Sequence, residues 1–248
     1  MTAPPPARDS RAQNPMLDVA GLDAFHGRAQ ATFGVDLQVP AGQVVALLGR
    51  NGAGKSTILE AIAGLVERRL DRLMLDGQDV SRLPTYRLAR AGLGFVPEDR
   101  RIFTDLTVAE NLEAGRQPPR PGASVWTPER LFALFPNLAE MRGRSARQMS
   151  GGEQQMLTIA RTLMGNPLML LLDEPSEGLS PRIVELMAEA ILQLKREGLA
   201  ILLCEQNLRF ARFVADACVV IERGTVRYAG PMAGLAQSEA AQAALRAV

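Results

Sequence analysis

The chain has 248 residues, 47% of them hydrophobic, and its 28 basic and 27 acidic residues leave a formal net charge of +1. This length predicts one large domain or two small ones with a substantial core, and the hydrophobic fraction excludes a disordered chain. A charge so close to zero excludes a general attraction to nucleic acid, so no nucleic-acid partner is predicted. No apolar run approaches the roughly 18 residues of a membrane helix and the N-terminus lacks an apolar signal core, so an intracellular protein is predicted.

In chain order, the first part of the sequence alternates short strands and helices. Residues 1–15 are rich in proline, alanine and arginine and are interpreted as a disordered leader. The apolar patterns that follow predict strands at 17–20, 35–39, 44–48, 73–75 and 93–96, and helices at 54–64 and 86–91. A glycine-rich segment separates the strand at 44–48 from the helix at 54–64, which predicts a strand, a loop and a helix in succession.

From residue 107 to about 163 the pattern changes to helical spacing alone. Helices are predicted at 108–113, 128–135, 138–142 and 154–163, so this segment is interpreted as a helical subdomain inserted into the core. The alternation then resumes with a strand at 168–172, a helix at 182–195, a strand at 200–204, a hairpin of 218–222 with 225–228, and a terminal helix from 237. Alternating strands and helices predict an α/β core with a parallel sheet, and residues 16–248 are interpreted as one domain.

Two residue types are rare enough in this chain to be informative. The two cysteines, Cys204 and Cys218, lie in apolar runs and are interpreted as buried, reduced thiols rather than as a disulfide. Lysine occurs only at Lys55 and Lys195, so a basic position without a specific requirement is expected to hold arginine. The lysine at position 55 therefore indicates a chemical need for a compact ammonium charge.

The segment that runs from Gly49 to Ser56, GRNGAGKS, matches the phosphate-loop pattern G-x-x-x-x-G-K-[ST]. Glycines allow backbone N–H groups to turn onto phosphate oxygens, and the helix N-terminus adds the positive end of its dipole. Lys55 is expected to bind the β- and γ-phosphates of ATP, and Ser56 to offer its hydroxyl to Mg²⁺. The alternative is a glycine-rich turn with an incidental lysine. The candidate nucleotide-binding residues here are Gly49, Asn51, Gly52, Ala53, Gly54, Lys55, Ser56 and Thr57.

The apolar run at 168–172 ends in two acids, Asp173 and Glu174. Asp173 is expected to hold Mg²⁺, directly or through water, and Glu174 to orient or deprotonate the attacking water. The alternative is a strand end that carries two solvated charges. With a phosphate loop upstream, the acid pair predicts a nucleoside triphosphatase that uses Mg-ATP.

Residues 150–154 read Ser-Gly-Gly-Glu-Gln and follow the helical segment. With the phosphate loop and the acid pair in this order, the chain from about 16 to 230 closely resembles the ABC ATPase family, of which SGGEQ looks like the signature motif. The resemblance implies an α/β P-loop NTPase fold: a mixed sheet flanked by helices, a helical subdomain and an N-terminal antiparallel β region. It also implies that two ATPase domains meet head to tail and sandwich two ATP molecules.

In such a dimer the signature of one subunit meets the γ-phosphate of the ATP that the other subunit's phosphate loop holds. The resemblance assigns this contact to Ser150 and Gly152, and it counts Gly151 and Glu153 among the nucleotide-binding residues. A site of this kind is complete only in the dimer.

Further positions are carried over from the resemblance one at a time. His26 occupies the place of the aromatic residue that stacks on adenine, with Phe25 beside it as a second candidate; the alternative for His26 is a surface turn residue. Glu98 stands where the family usually has a glutamine that senses Mg²⁺ and the transmembrane partner. Gln206 stands where a switch histidine usually contacts the γ-phosphate, and Ser180 where an aspartate usually ends the loop. Because glutamine does not titrate near neutral pH, a mechanism that needs a titrating histidine is excluded in this subunit.

The segments 96–103, 173–181 and 204–207 together resemble one subgroup, the smaller ATPase subunit of branched-chain amino acid importers. This resemblance implies a transport-coupled ATP hydrolase, peripheral at the cytoplasmic face of the inner membrane. Its implied partners are a second ABC ATPase subunit, identical or merely similar, two transmembrane permease subunits and, indirectly, a periplasmic binding protein.

Three alternatives remain beside this subgroup. Importers of urea and short amides share much of its pattern. An ABC ATPase outside transport is a second alternative, although such proteins usually carry two cassettes or long coiled-coil insertions, which this chain lacks. A P-loop kinase is the third, and the signature motif argues against it.

Overall fold

The computed structural model describes residues 15–246, so the leader predicted at 1–15 lies outside the described residues except for Pro15. The strands are β1 (Leu17–His26), β2 (Ala29–Val39), β3 (Val44–Leu48), β4 (Glu67–Arg69), β5 (Arg72–Leu75), β6 (Gln78–Asp79), β7 (Leu93–Val96), β8 (Met169–Asp173), β9 (Ala200–Glu205), β10 (Ala217–Glu222) and β11 (Thr225–Pro231). The helices are α1 (Lys55–Ala63), α2 (Thr85–Ala91), α3 (Val108–Gly115), α4 (Pro128–Leu134), α5 (Pro136–Glu140), α6 (Gly151–Leu163), α7 (Pro181–Arg196), α8 (Leu208–Val214) and α9 (Glu239–Arg246). None of the helices within residues 15–246 is long and apolar enough to cross a membrane.

The central sheet has six strands in the order β11-β10-β3-β9-β8-β7. Five of them are parallel, and β11 pairs antiparallel with β10 at one edge, which confirms the predicted α/β core. The strands β3, β8 and β9 are buried along their whole length, because helices and the second sheet cover both faces. In register, Leu48 pairs with Glu205 and Asp173 with Cys204. The residues that follow these three strands are therefore brought to one edge of the sheet.

The second sheet is antiparallel, in the order β2-β1-β5-β6, with β4 paired to β1. It confirms the antiparallel region that the resemblance implies. Strands β1 and β2 have 10 and 11 residues, and are thus much longer than the segments 17–20 and 35–39 that the sequence pattern predicts. The pattern shows only their most apolar ends, because the rest of β2 alternates with one exposed face and is held by its pairing with β1.

Helices α3 to α6 follow one another between β7 and β8, and two of them begin at a capping box. Thr107 and Glu110 exchange side-chain and backbone hydrogen bonds at the start of α3, and Ser150 and Glu153 do the same at the start of α6. Helix α5 begins at Pro136, two residues before the predicted start, because proline is favoured in the first turn. The chain therefore enters α6 directly at the Ser-Gly-Gly segment.

Helix α8 is the one helix of the described chain that the sequence pattern does not predict. Its first turn is capped by Asn207, whose Oδ1 accepts a hydrogen bond of 3.1 Å from the N–H of Phe210. It buries Phe210, Ala211 and Val214 against the neighbouring sheet. This helix of seven residues is therefore known from the structure alone.

Both cysteines lie inside the molecule. Cys204 and Cys218 are free and buried, which confirms their interpretation as reduced thiols. Burial raises the pKa of Cys218 to about 11 and the pKa of Cys204 well above its ordinary value. Neither thiol is therefore ionised near neutral pH, and neither serves as a nucleophile.

Candidate nucleotide site

The loop between β3 and α1 adopts a shape that its glycines make possible. A Cβ at Gly49 would overlap the carbonyl oxygen of Ile221, so no side chain fits there. Gly54 has a φ of 102° in the left-handed region, immediately before the first residue of α1. The N-terminus of α1 has neither a side-chain cap nor an acidic residue in its first turn. Its unpaired N–H groups and the positive end of its dipole are therefore available to an anion.

Lys55 brings a positive charge to the centre of this loop. Its side chain is 3% exposed, and its Nζ lies 3.2 Å from Glu174 Oε1. The same ammonium donates a hydrogen bond of 3.2 Å to the carbonyl oxygen of Arg50, which bends the loop around it. A compact ammonium in this position can bind phosphate oxygens as a point charge.

Asp173 is the last residue of β8 and faces the start of α1. Its Oδ1 accepts a hydrogen bond of 2.9 Å from Ser56 Oγ. Burial, assisted by the carboxylates of Glu174, Glu98 and Glu60, raises the pKa of Asp173 to about 6 in spite of the hydrogen bond from Ser56. The site therefore concentrates negative charge at a point where a cation would be stabilised.

Glu174 lies directly after β8 and has a φ of 44°, a left-handed conformation that is uncommon outside glycine. Its Oε2 accepts a hydrogen bond of 2.6 Å from Gln206 Nε2. Burial alone would raise the pKa of Glu174, but hydrogen bonds from Glu177 and Gln206 and the charge of Lys55 hold it below its ordinary value. Glu174 is thus held as a carboxylate between an ammonium and an amide.

Glu177 is a residue of this site that the sequence analysis missed. Its side chain lines the same cavity, and its hydrogen bond with Glu174, then its partial burial, raise the pKa of Glu177 to about 7. The N–H of Glu177 also donates to the carbonyl oxygen of Glu174 at 3.1 Å, so one tight turn carries both acids. In the sequence, the only sign of this role is that Glu177 follows Glu174 by three residues. That spacing alone does not distinguish a site residue from a solvated charge.

Most of these groups line a cavity of about 300 Å³ at the edge of the parallel sheet, and Asp173 reaches its wall through the hydrogen bond from Ser56. The residues that line it are Asn51, Gly52, Gly54, Lys55, Ser56, Thr57, Glu98, Glu174, Glu177 and Gln206. Gly49 and Ala53 support the loop from below and are buried. The structure therefore brings together most of the residues that the phosphate-loop and acid-pair patterns predict, although they come from distant parts of the sequence.

The two aromatic candidates lie on opposite faces of β1. His26 is exposed, and its Nε2 lies 3.0 Å from Thr57 Oγ1 at the rim of the cavity. Neighbouring residues of a strand point to opposite faces, so Phe25 turns away, and the guanidinium of Arg69 covers its ring at 5.1 Å. The adenine-stacking role of His26, with Phe25 beside it, stays a prediction, and His26 is the one of the two that hydrogen-bonds a residue of the cavity wall.

The segment 150–153 does not line this cavity. Ser150 is exposed and caps α6, and a side chain at Gly152 would collide with Ile183 of α7, so the two glycines leave the helix N-terminus uncovered. Within one chain, the signature motif and the phosphate loop are therefore separate surfaces.

Comparison with known proteins decides the family. Residues 33–177, more than half of the chain, match the family model described as ABC transporter. The chain belongs to the ABC transporter ATPase family. The ATP-binding protein BraG of a high-affinity branched-chain amino acid transport system of Pseudomonas aeruginosa is 40% identical over 211 residues, which cover 85% of this chain and 91% of BraG.

An ATP-binding protein of an export system and a solved ATP-binding cassette are also similar to this chain. LptB of Haemophilus influenzae, the ATP-binding protein of a lipopolysaccharide export system, is 35% identical over 195 residues, which cover 77% of this chain and 80% of LptB. A solved nucleotide-free ATP-binding cassette from an ABC transporter superposes with a TM-score of 0.75 at 27% identity, and covers 88% of this chain and 91% of that one. Members of the family bind nucleotide and hydrolyse ATP to power transport, so this ABC ATPase is an ATP hydrolase.

Proposed function

We propose that this ABC ATPase powers an importer of branched-chain amino acids. The supporting observation is the 40% identity to BraG, which extends over 91% of that protein. Chemistry at the cavity is the same for any cargo, since Lys55, Asp173 and Glu174 act on ATP. The cargo is therefore inferred from the relatives, whereas the reaction is inferred from the site.

In the proposed reaction, the triphosphate lies on the loop 49–56 with its β- and γ-phosphates at Lys55. Glu174 accepts the proton of the attacking water, and Gln206 keeps its carboxylate oriented through the 2.6 Å hydrogen bond. This geometry gives Gln206 a positioning role, because its amide already binds Glu174 and it lines the cavity beside the phosphate loop. The protein mainly positions groups and stabilises charge, as expected for phosphoryl transfer.

Ser56 and Asp173 are the residues that suit a cation in this site. Among residues 15–246, no three His, Cys, Asp or Glu side chains are arranged to hold a metal by themselves. Ser56 and Asp173, 2.9 Å apart, offer one hydroxyl and one carboxylate, a set that suits Mg²⁺ when phosphate oxygens and water complete the octahedron. Ser56 and Asp173 would hold Mg²⁺. Glu98, which lines the cavity, is a third candidate for contact with the ion. The ion would neutralise charge on the β- and γ-phosphate oxygens.

The partners follow from the incomplete site. Because 150–153 do not line the cavity of their own chain, a head-to-tail pair of ATPase subunits would bring each signature to the ATP of the other. The second subunit is this chain again or a similar ATPase, for which a histidine at the switch position is expected. Two permease subunits and a periplasmic binding protein complete the proposed importer, with this subunit peripheral at the cytoplasmic face of the inner membrane.

A second candidate is an exporter of lipopolysaccharide, which the 35% identity to LptB favours. The two candidates differ in the proteins that must accompany this chain. An importer is accompanied by permeases and a soluble binding protein that recognise an amino acid. A lipopolysaccharide exporter is accompanied by proteins that recognise a lipid-linked glycan.

The experiment is a purification from the native host, with the tagged chain, membranes solubilised in mild detergent and the co-purifying proteins identified. Permease subunits, followed by leucine uptake that is lost in Lys55→Ala cells and kept in Lys195→Ala cells, would support the proposal. Lys195 is the matched control, because it is the other lysine, lies on α7 and forms its ion pair with Asp216, and neither residue lines the cavity. Uptake of urea but not leucine, or lipopolysaccharide-transport proteins in the complex, would reject the branched-chain assignment and keep the ATPase.

A further inference from the structure

The loop that follows β7 has an unusual backbone. Arg100 and Arg101 are consecutive non-glycine residues with φ of 64° and 46°, in the left-handed region. Each such residue costs on the order of 1 kcal/mol, so the fold must hold the loop in place. Two hydrogen bonds from α6 do so: Thr158 Oγ1 donates to the carbonyl oxygen of Arg100 at 2.9 Å, and Arg161 Nη2 donates to that of Arg101 at 2.7 Å.

This backbone carries the Arg100 guanidinium to the start of α6. A Cβ placed on Gly151 would lie 2.9 Å from Arg100 Nη1, so the guanidinium occupies the space beside the signature glycines. None of the ion pairs within the described chain involves Arg100. The neighbouring Arg101 differs, because its Nε binds both carboxylate oxygens of Asp99 at 2.9 Å.

Within one chain, Arg100 lies beside the positive end of the α6 dipole. A cation is disfavoured at a helix N-terminus, where the dipole is positive and the first N–H groups are unpaired. The nearby carboxylate of Glu153 is engaged with the cap, since it accepts a hydrogen bond of 2.6 Å from the N–H of Ser150. An anion at this point would meet the Ser150 hydroxyl, the open end of α6 and an unpaired guanidinium together.

We propose that Arg100 is a further phosphate-contacting residue, which reaches the γ-phosphate of the ATP held by the facing ATPase subunit. This inference rests on the proposed head-to-tail pairing and adds to the two signature residues a side chain that binds anions with a planar fork. The same loop places Glu98 at the wall of the chain's own cavity, two residues before Arg100. One short segment therefore touches both nucleotide sites of the dimer.

The test measures ATP-dependent dimerisation of the full chain by analytical ultracentrifugation. The parent is Glu174→Gln, which is expected to bind ATP and accumulate as a closed dimer. Adding Arg100→Gln should weaken the dimer by at least about tenfold, because a hydrogen-bonded charge is lost at each of the two nucleotide sites in the interface. ATP binding by the monomer should stay within about twofold of the parent, since the phosphate loop of the same chain is intact.

Arg101→Gln is the matched control, with the same charge change and the same backbone region but a guanidinium bound to Asp99. It should dimerise like the parent. If Arg100→Gln melts well below the parent, Arg100→Lys replaces it; loss of the fork should still weaken the dimer. Dimerisation of the Arg100 variants equal to the parent would overturn the inference and leave the pairing intact. A parent that never dimerises with ATP would overturn the pairing of this chain with itself, and the inference with it.

A mixing experiment shows that the contact acts between subunits. Lys55→Ala and Arg100→Gln chains should each hydrolyse ATP poorly alone. In the mixed dimer, the intact phosphate loop of the Arg100→Gln subunit faces the intact Arg100 of its partner, so one complete site returns and activity should exceed the sum of the separate samples. Activity equal to that sum would show that Arg100 serves its own subunit and would overturn the inference.

Discussion

The buried ion pair of Lys55 and Glu174 should contribute measurably to stability in the absence of nucleotide. Lys55 Nζ and Glu174 Oε1 are 3.2 Å apart, and the two side chains are 3% and 8% exposed. With an effective dielectric constant of about 20, unit charges at this distance attract by about 5 kcal/mol. Desolvation offsets much of that attraction, but removing one partner leaves the other charge uncompensated, which costs about 3–5 kcal/mol. Because Glu174 keeps its hydrogen bond from Gln206, we expect Lys55→Met to cost about 3 kcal/mol.

The assay is a double-mutant cycle of Lys55→Met and Glu174→Gln, measured by urea and thermal unfolding of the nucleotide-free chain. For a chain of this size, about 3 kcal/mol corresponds to a fall in Tm of about 6–12 °C. In the Glu174→Gln background no charge is left unpaired, so Lys55→Met should cost less than about 1 kcal/mol. Lys195→Met is the control, because its ion pair with Asp216 is about one-third exposed and should be worth less than about 1 kcal/mol.

An equal loss of stability from Lys55→Met in both backgrounds would refute this reasoning. It would mean that Lys55 stabilises the loop through its packing and its hydrogen bond to the backbone, and that its charge makes no net contribution with Glu174.

Three further predictions concern the same site. Gln206→His keeps a donor for Glu174 and should retain hydrolysis, whereas Gln206→Leu should lower kcat by about tenfold or more; steady-state kinetics decides, and equal rates for both variants would exclude the positioning role. Gly49→Ala should destabilise the chain by more than about 2 kcal/mol in thermal unfolding, because its Cβ meets a backbone carbonyl oxygen of β10, while Gly143→Ala, which has open space around it, should not. Burial raises the pKa of Asp173 to about 6, so without nucleotide and magnesium the native state holds a proton there that the unfolded chain releases near pH 4; stability should fall as pH rises from about 4 to 6, and Asp173→Asn should make this fall shallower in a Tm-against-pH series, the raised pKa of Glu177 sustaining the remainder.

Much of the parallel sheet could be predicted from local patterns. The strand at 44–48 was predicted with the bounds of β3, and the strand at 93–96 with those of β7, because strands buried on both faces read as short continuous apolar runs. Helix α6 instead begins at Gly151, three residues before the predicted start at 154, because the capping box of Ser150 and Glu153 starts it there. Longer, half-exposed strands such as β1 and β2 carry a weaker pattern, since their extent depends on pairing with each other rather than on apolar residues.

The candidate site shows the same division. Loop 49–56 and the acids Asp173 and Glu174 are each recognisable alone, because their chemistry requires particular residue types at fixed spacing. The sequence did not show that Gln206 binds Glu174, that Arg69 covers the ring of Phe25, or that Glu177 shares the cavity wall. Such contacts depend on which strand ends lie side by side and on the face to which each strand residue points.

The sequence by itself therefore determined the family, the reaction and the order of elements, since these reside in motifs whose residues are close together in the chain. Only the tertiary structure decided which groups line the one cavity beside the phosphate loop and which surface, the signature segment, stays apart from it. The physical reason is the register of parallel β3, β9 and β8, which sets residues about 120 and 150 positions downstream of the phosphate loop beside it. The left-handed turn at Arg100 is likewise decided by the tertiary structure alone. Its guanidinium lies beside the start of α6 because α6 holds the loop through Thr158.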